Sequence, residues 1–139
     1  MNSKLKYHLP VVFVCIGIFV QSSFPSDAYP TIDFELIDKI VHFCIYLVLF
    51  LAFYYSFINQ TKFLLFYKYS LLSAFIFTSI YGASDEFHQF FVPGRNCEFN
   101  DWVANVIGAL FGIAIILIYE KFFKNKNNNS LNTVYDKSK

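Results

Sequence analysis

Four long apolar runs separated by short polar segments organise the chain, at roughly 9–24, 40–58, 67–83 and 102–122. Each approaches the ~20 residues that a helix needs to cross ~30 Å of hydrocarbon. An open sheet edge in lipid would leave backbone groups without partners, so each run is predicted to be a helix. The second run, Ile40 to Ile58, carries no polar stripe at helical spacing through its centre. That pattern suits a helix surrounded by lipid better than an amphipathic soluble one. The expectation is therefore an all-α integral membrane four-helix bundle with short loops, one domain over 1–123. The remaining 124–139, rich in Asn and Lys with little to bury, is expected to be a disordered cytoplasmic tail. Lys4 and Lys6 ahead of the first run give it a second reading as a signal peptide, cut near Ser26-Asp27-Ala28. Its length to Phe24 and the poor small-residue pattern favour a retained helix.

Composition strengthens the membrane reading. Hydrophobic residues make up 56% and aromatic residues 22%, against 15% charged. So few charges would not cover the surface of a soluble domain of this length. The net charge of +1 gives no reason to expect a nucleic-acid partner. Where the basic residues lie says more than their sum. Lys4, Lys6, Lys62, Lys68, Lys121, Lys124, Lys126, Lys137 and Lys139 fall on one side of a four-span arrangement, and only Lys39 and Arg95 fall on the other. The positive-inside rule then places the protein in the cytoplasmic membrane with both termini and the Asn59–Lys68 loop inside. Cys15, Cys44 and Cys97, an odd number without a CxxC pair, read as free thiols.

In that arrangement the polar residues gather at the outer ends of three helices. Asp38, Lys39 and His42 open the second run, with Tyr46 one turn further on the same face. Asp85, Glu86, His88 and Gln89 close the third, and Pro93-Gly94-Arg95-Asn96 reads as a turn. Asp101 and Asn105 open the fourth, on a stripe that continues through Gly108 and Gly112, a small-xxx-small packing surface. Ionisable residues at membrane depth are expensive and usually face a bundle interior or water. Asp38, His42, Tyr46, Asp85, Glu86, Gln89, Arg95, Asp101 and Asn105 are therefore the candidate binding residues. Each also has a plainer reading. Lys39 could mark where a helix leaves lipid, Asp38 could simply hold the His42 ring, and Arg95 could neutralise a nearby acid. His88 is the member read as incidental. His42 with Asp38, Asp85 and Glu86 offers nitrogen and oxygen donors, but the spacing matches no HExxH-type signature, and no metal or other cofactor is expected.

The same segments carry a resemblance. Asp38-Lys39-xx-His42-xxx-Tyr46, Asp85-Glu86-xx-Gln89-x-Phe91-x-Pro93-Gly94-Arg95 and Asp101-xxx-Asn105-xx-Gly108-xxx-Gly112 resemble, in that order, three elements of the VanZ-like membrane proteins. Ser22 and Pro25 also fit, and the resemblance covers about residues 10–120. The family takes its name from a protein linked to teicoplanin, a glycopeptide antibiotic that binds cell-wall precursors, and the likeness does not by itself carry resistance to this chain.

Three functions follow as expectations. The first is an outward-facing polar site that binds or modulates a cell-envelope component, such as a lipid-linked wall precursor or a glycopeptide, with the bilayer as the constant partner. The second is a membrane-embedded enzyme acting on a lipid-linked substrate, with His42 and Glu86 or Asp85 as acid and base. In the third the polar cluster is purely structural.

Overall fold

A computed structural model describes residues 5–25, 35–60, 62–95 and 97–124. The expected disordered tail lies outside the described residues apart from Lys124, as do Asn96 and the segment Ser26-Asp27-Ala28. The described residues form helices and turns only. They are α1 (Leu9–Ser22), α2 (Glu35–Asn59), α3 (Leu64–Lys68), α4 (Ser70–Gln89) and α5 (Phe99–Tyr119). A 3-10 turn, Leu5–Tyr7, precedes α1, and a π-helical turn, Glu120–Lys124, follows α5.

Four long helices thus match the four apolar runs, and the short α3 is an addition to the expected count. Tyr69, at φ −112° and ψ 39°, departs from helical geometry and separates α3 from α4. The helix ends also differ from the runs. α2 begins five residues before Ile40, and α4 continues six residues beyond Ala83. Both extensions carry the polar residues that the apolar pattern trims away. α1 starts with Pro10 in its first turn, where the missing N–H forfeits no helical bond. Its end is marked by the Ser23 hydroxyl, which donates to the Phe19 carbonyl at 2.6 Å.

α2, α4 and α5 pack mutually, α2 most extensively on α5, and α1 docks on α2 and α4. Small residues govern the α2–α5 contact. A Cβ placed on Gly108 would lie 2.3 Å from the Phe43 carbonyl oxygen, and one on Gly112 would lie 2.3 Å from the Phe50 ring. The backbones are therefore closer than any side chain at position 108 allows. Rings fill one half of the bundle. Phe57 stacks among Phe53, Phe66 and Phe77 with centroids 5.3–5.8 Å apart, over a core of Phe50, Ala74 and Ala109. The other half, where α2 begins, α4 ends and α5 begins, holds polar side chains.

The outer surface is apolar. Phe13, Leu36, Ile80, Phe111 and Ile118 are each more than half exposed. The segments Leu36–Asn59 and Phe99–Phe122, 24 residues each, are long and apolar enough to cross a bilayer. Contiguous apolar surface on this scale needs a non-aqueous neighbour.

Candidate functional site

At the polar end, α2 contributes Asp38, Lys39, His42 and Tyr46 on successive turns of one face. α4 contributes Asp85, Glu86 and Gln89 from its last two turns, all buried. α5 contributes Asp101, Asn105 and Gly108 from its first three turns, also buried. The loop between α4 and α5 supplies Arg95. Its turn is closed by the Arg95 N–H donating to the Val92 carbonyl at 3.1 Å, with Gly94 at φ 74°. Proline second and a left-handed glycine third in a four-residue turn is the type II pattern, so Pro93-Gly94 explains the loop's reversal.

Two hydrogen-bond chains run through the cluster. In the first, the Tyr46 hydroxyl donates to Asp85 Oδ2 at 3.0 Å, and Gln89 Nε2 donates to the same oxygen at 3.3 Å. Arg95 then donates through Nη2 and Nε to Gln89 Oε1 at 2.7 and 3.2 Å. This chain ties α2, α4 and the loop together. In the second, His42 Nδ1 donates to Asn105 Oδ1 at 3.1 Å, joining α2 to α5. Its other ring nitrogen, Nε2, faces Asp38 Oδ1 at 3.9 Å and Asp101 Oδ2 at 4.0 Å.

Lys39 is the member that sequence reading passed over. Its ammonium donates to Glu98 Oε2 at 2.8 Å, pairs with Asp101 Oδ1, and lies 3.6 Å from Asp38 Oδ2. The residue is no boundary marker: it is the cation in a cage of three carboxylates. Glu98 belongs to that cage too and was likewise not singled out. The available signal was Lys39's position next to Asp38 within a helical segment. The pairing partners, 59 and 62 residues away, have no local signature.

Glu86 is 3% exposed, and neither of its carboxylate oxygens has an ordinary hydrogen-bond partner among the described residues. Its nearest titratable neighbour is His42, with Nδ1 3.7 Å from Oε1. The amide nitrogen of Asn105 is buried and unpartnered as well. Native interiors leave few polar atoms in this condition. His88, read as incidental, turns away from the cluster. Its ring packs at a tilt against Phe19, with centroids 4.7 Å apart, and lies 3.2 Å from the Ser23 hydroxyl, pinning α4 to α1.

Beside the cluster an open groove runs between α1 and α2, lined by Val14, Gly17, Ile18, Gln21, Cys44, Ile45 and Val48. Ile18, Gln21 and Ile45 also line a small pocket that reaches His42, Tyr46 and Asp85. An apolar channel thus meets the buried polar network.

Helices of membrane-crossing length, an apolar exterior and a polar cluster at one end point to a small helical membrane protein. The chain belongs to the VanZ/LLP1 family, whose model matches residues 2–120. Among the curated proteins and the solved structures, none matches the chain.

Proposed function

We propose that the protein spans the cytoplasmic membrane four times with both termini inside, and that its outer polar site binds a lipid-linked component of the cell envelope. The observation that carries this reading is the shared wall. One groove is almost wholly apolar and lies between two helices whose outer surfaces suit lipid. The pocket at its end holds His42, Tyr46 and Asp85. A long-chain lipid needs such a pairing, with hydrocarbon along α1 and α2 and a polar head against the cluster. Arg95, whose Nε and Nη2 are turned to Gln89, brings a guanidinium charge to the polar end where a phosphate or carboxylate on that head would sit. A site on the outer face would also meet glycopeptides and the wall precursors they bind, which fits the tie of VanZ-like proteins to teicoplanin-type resistance. An enzymatic reading has one observation behind it, the unpartnered Glu86 carboxylate beside His42. At that 3.7 Å separation a proton would have to pass through a bridging water.

Gly17 tests the groove cleanly. A Cβ at this position meets nothing within 4 Å, so a larger side chain fills the groove without touching the packing. Gly17→Leu is expected to reduce co-purified or titrated lipid at least tenfold, measured by native mass spectrometry of the detergent-solubilised protein. Its thermal stability should hold or rise, because leucine is the better helix former by up to about 1 kcal/mol. Unchanged lipid binding in Gly17→Leu would remove the groove from the proposal.

Cys97 tests the orientation. It is exposed in the segment preceding α5, whereas Cys15 and Cys44 lie within helices. In intact cells a membrane-impermeant maleimide is expected to label Cys97 alone. Labelling only after the membrane is breached would invert the topology and put the site on the cytoplasmic face.

A further inference from the structure

We propose that Asp38, His42 and Asp101 form a binding site for a divalent metal ion of the zinc type. The inference goes beyond the lipid reading and does not depend on it. One donor atom from each of the three residues lies within 4.8 Å of the others. Three observations make this more than a cluster of acids.

The first concerns the histidine. Its side chain is nine-tenths buried. Nδ1 donates to Asn105 Oδ1, which leaves Nε2 as the ring atom turned toward the two aspartates. Nε2 faces their carboxylate oxygens at 3.9 and 4.0 Å, beyond hydrogen-bonding reach. The three donor atoms thus surround a gap of the size that a small cation closes. A histidine that ligates metal through one nitrogen and donates through the other to a fixed oxygen is the usual arrangement.

The second concerns how each carboxylate is divided. Asp38 and Asp101 each turn one oxygen, Oδ2 and Oδ1 respectively, to Lys39. Each turns its other oxygen to His42 Nε2. The ammonium therefore occupies the outer side of the pair and orients both groups, while the inner side converges on the imidazole. Zinc bonds of 2.0–2.1 Å at tetrahedral angles separate donors by about 3.3 Å. Closing takes roughly 0.6 Å for the two distances to Nε2 and up to about 1.5 Å between the carboxylates, and Asp38, whose side chain is half exposed, has the freedom to make it.

The third is the charge of the surroundings. Asp38, Glu98 and Asp101 share one ammonium, that of Lys39, so the carboxylates at this site outnumber the cation beside them. Asp101 is buried, and buried carboxylates are paired or coordinate metals. One imidazole and two carboxylates suit zinc, and three protein donors leave a fourth position open for an oxygen of a bound ligand.

The test uses full-length protein, without an affinity tag, in lipid-free detergent micelles after treatment with a chelator. Equilibrium dialysis against Zn2+, read by elemental mass spectrometry, is expected to give one ion per chain. His42→Gln and Asp38→Asn should each weaken zinc binding at least tenfold, and His88→Gln should leave it unchanged. Asp38 is half exposed, so Asp38→Asn decides the matter even if His42→Gln fails to fold. Zinc binding that is absent, or that survives Asp38→Asn at wild-type affinity, overturns the proposal. Loss on His88→Gln would overturn it as well, because it would mark an adventitious surface site.

Discussion

Gly108→Ala should destabilise the protein by about 3 kcal/mol, while Gly17→Ala stabilises it by ~0.5–1 kcal/mol. The substitution is the same, a single methyl group replacing a helical glycine hydrogen, and in an exposed helix it is favourable because alanine restricts the unfolded chain. At Gly17 nothing lies within 4 Å of the new methyl, so only that gain remains. At Gly108 the methyl would sit 2.3 Å from the Phe43 carbonyl oxygen, 3.1 Å from its carbon and 3.2 Å from the Leu47 nitrogen. These are backbone atoms inside α2. No rotamer change relieves the clash, so the two helices must separate along their most extensive contact. Gly112→Ala meets the edge of the Phe50 ring rather than backbone, and a ring can tilt. Its loss should be smaller, though Phe50 is fully buried and has little room. Separation of α2 from α5 would also lengthen the His42–Asn105 bond, one residue from Phe43 on α2 and three from Gly108 on α5, so lipid and zinc binding should fall with stability. Thermal unfolding in detergent, with the three variants side by side, gives the comparison. Equal stability for Gly17→Ala and Gly108→Ala would mean that α2 and α5 are not in contact at this register.

The large features of this fold are legible in the sequence because one simple rule, that a long apolar run folds as a helix, accounts for α1, α2, α4 and α5. What the rule misreads is the helix ends. The apolar runs stop at Ile40 and Ala83, short of Asp38 and Lys39 and of Asp85 to Gln89. Yet all lie within α2 and α4. Only Lys39 reads there as a mark of exit from lipid, and its ammonium instead pairs with Glu98 and Asp101. The spacing argument fared better for individual faces. Residues four apart on α2, and the α5 stripe from Asp101 to Gly112, do face inward together. Such reasoning stops at the single helix. That Tyr46 meets Asp85, or that Lys39 meets Asp101, depends on how three helices register against one another, and register is fixed by contacts such as Gly108 on Phe43. The break at Tyr69 was also illegible, since neither proline nor glycine marks it.

Removing the ammonium from the carboxylate cage is the second large effect. Lys39→Met is expected to cost about 3 kcal/mol, because Asp101, 4% exposed, is left as a buried anion facing Glu98 and Asp38 without a cation. Glu98 and Asp38 retain water on one side, with side chains 41% and 50% exposed, so neither alone carries the penalty. Glu98→Gln should therefore change stability by less than about 1 kcal/mol. The decisive construction is a double-mutant cycle. Asp101→Asn on its own leaves Lys39 with its half-exposed partners. Placed on top of Lys39→Met, it removes the unpaired charge and should recover roughly 1–2 kcal/mol of the loss. Additivity of the two changes within about 0.5 kcal/mol would show that Lys39 and Asp101 do not depend on each other. The cycle is run with chelator present, so that stability reports the ion pair alone. Zinc affinity then supplies a separate reading of the same residue. If Lys39 holds the outer oxygens of Asp38 and Asp101 so that the inner ones converge on His42, its loss should weaken zinc binding about 10- to 100-fold, although Lys39 donates nothing to the metal. A lysine that only balanced charge would have the opposite effect, because removing a neighbouring cation would tighten the binding of another. The sign of the change therefore separates an orienting role from an electrostatic one.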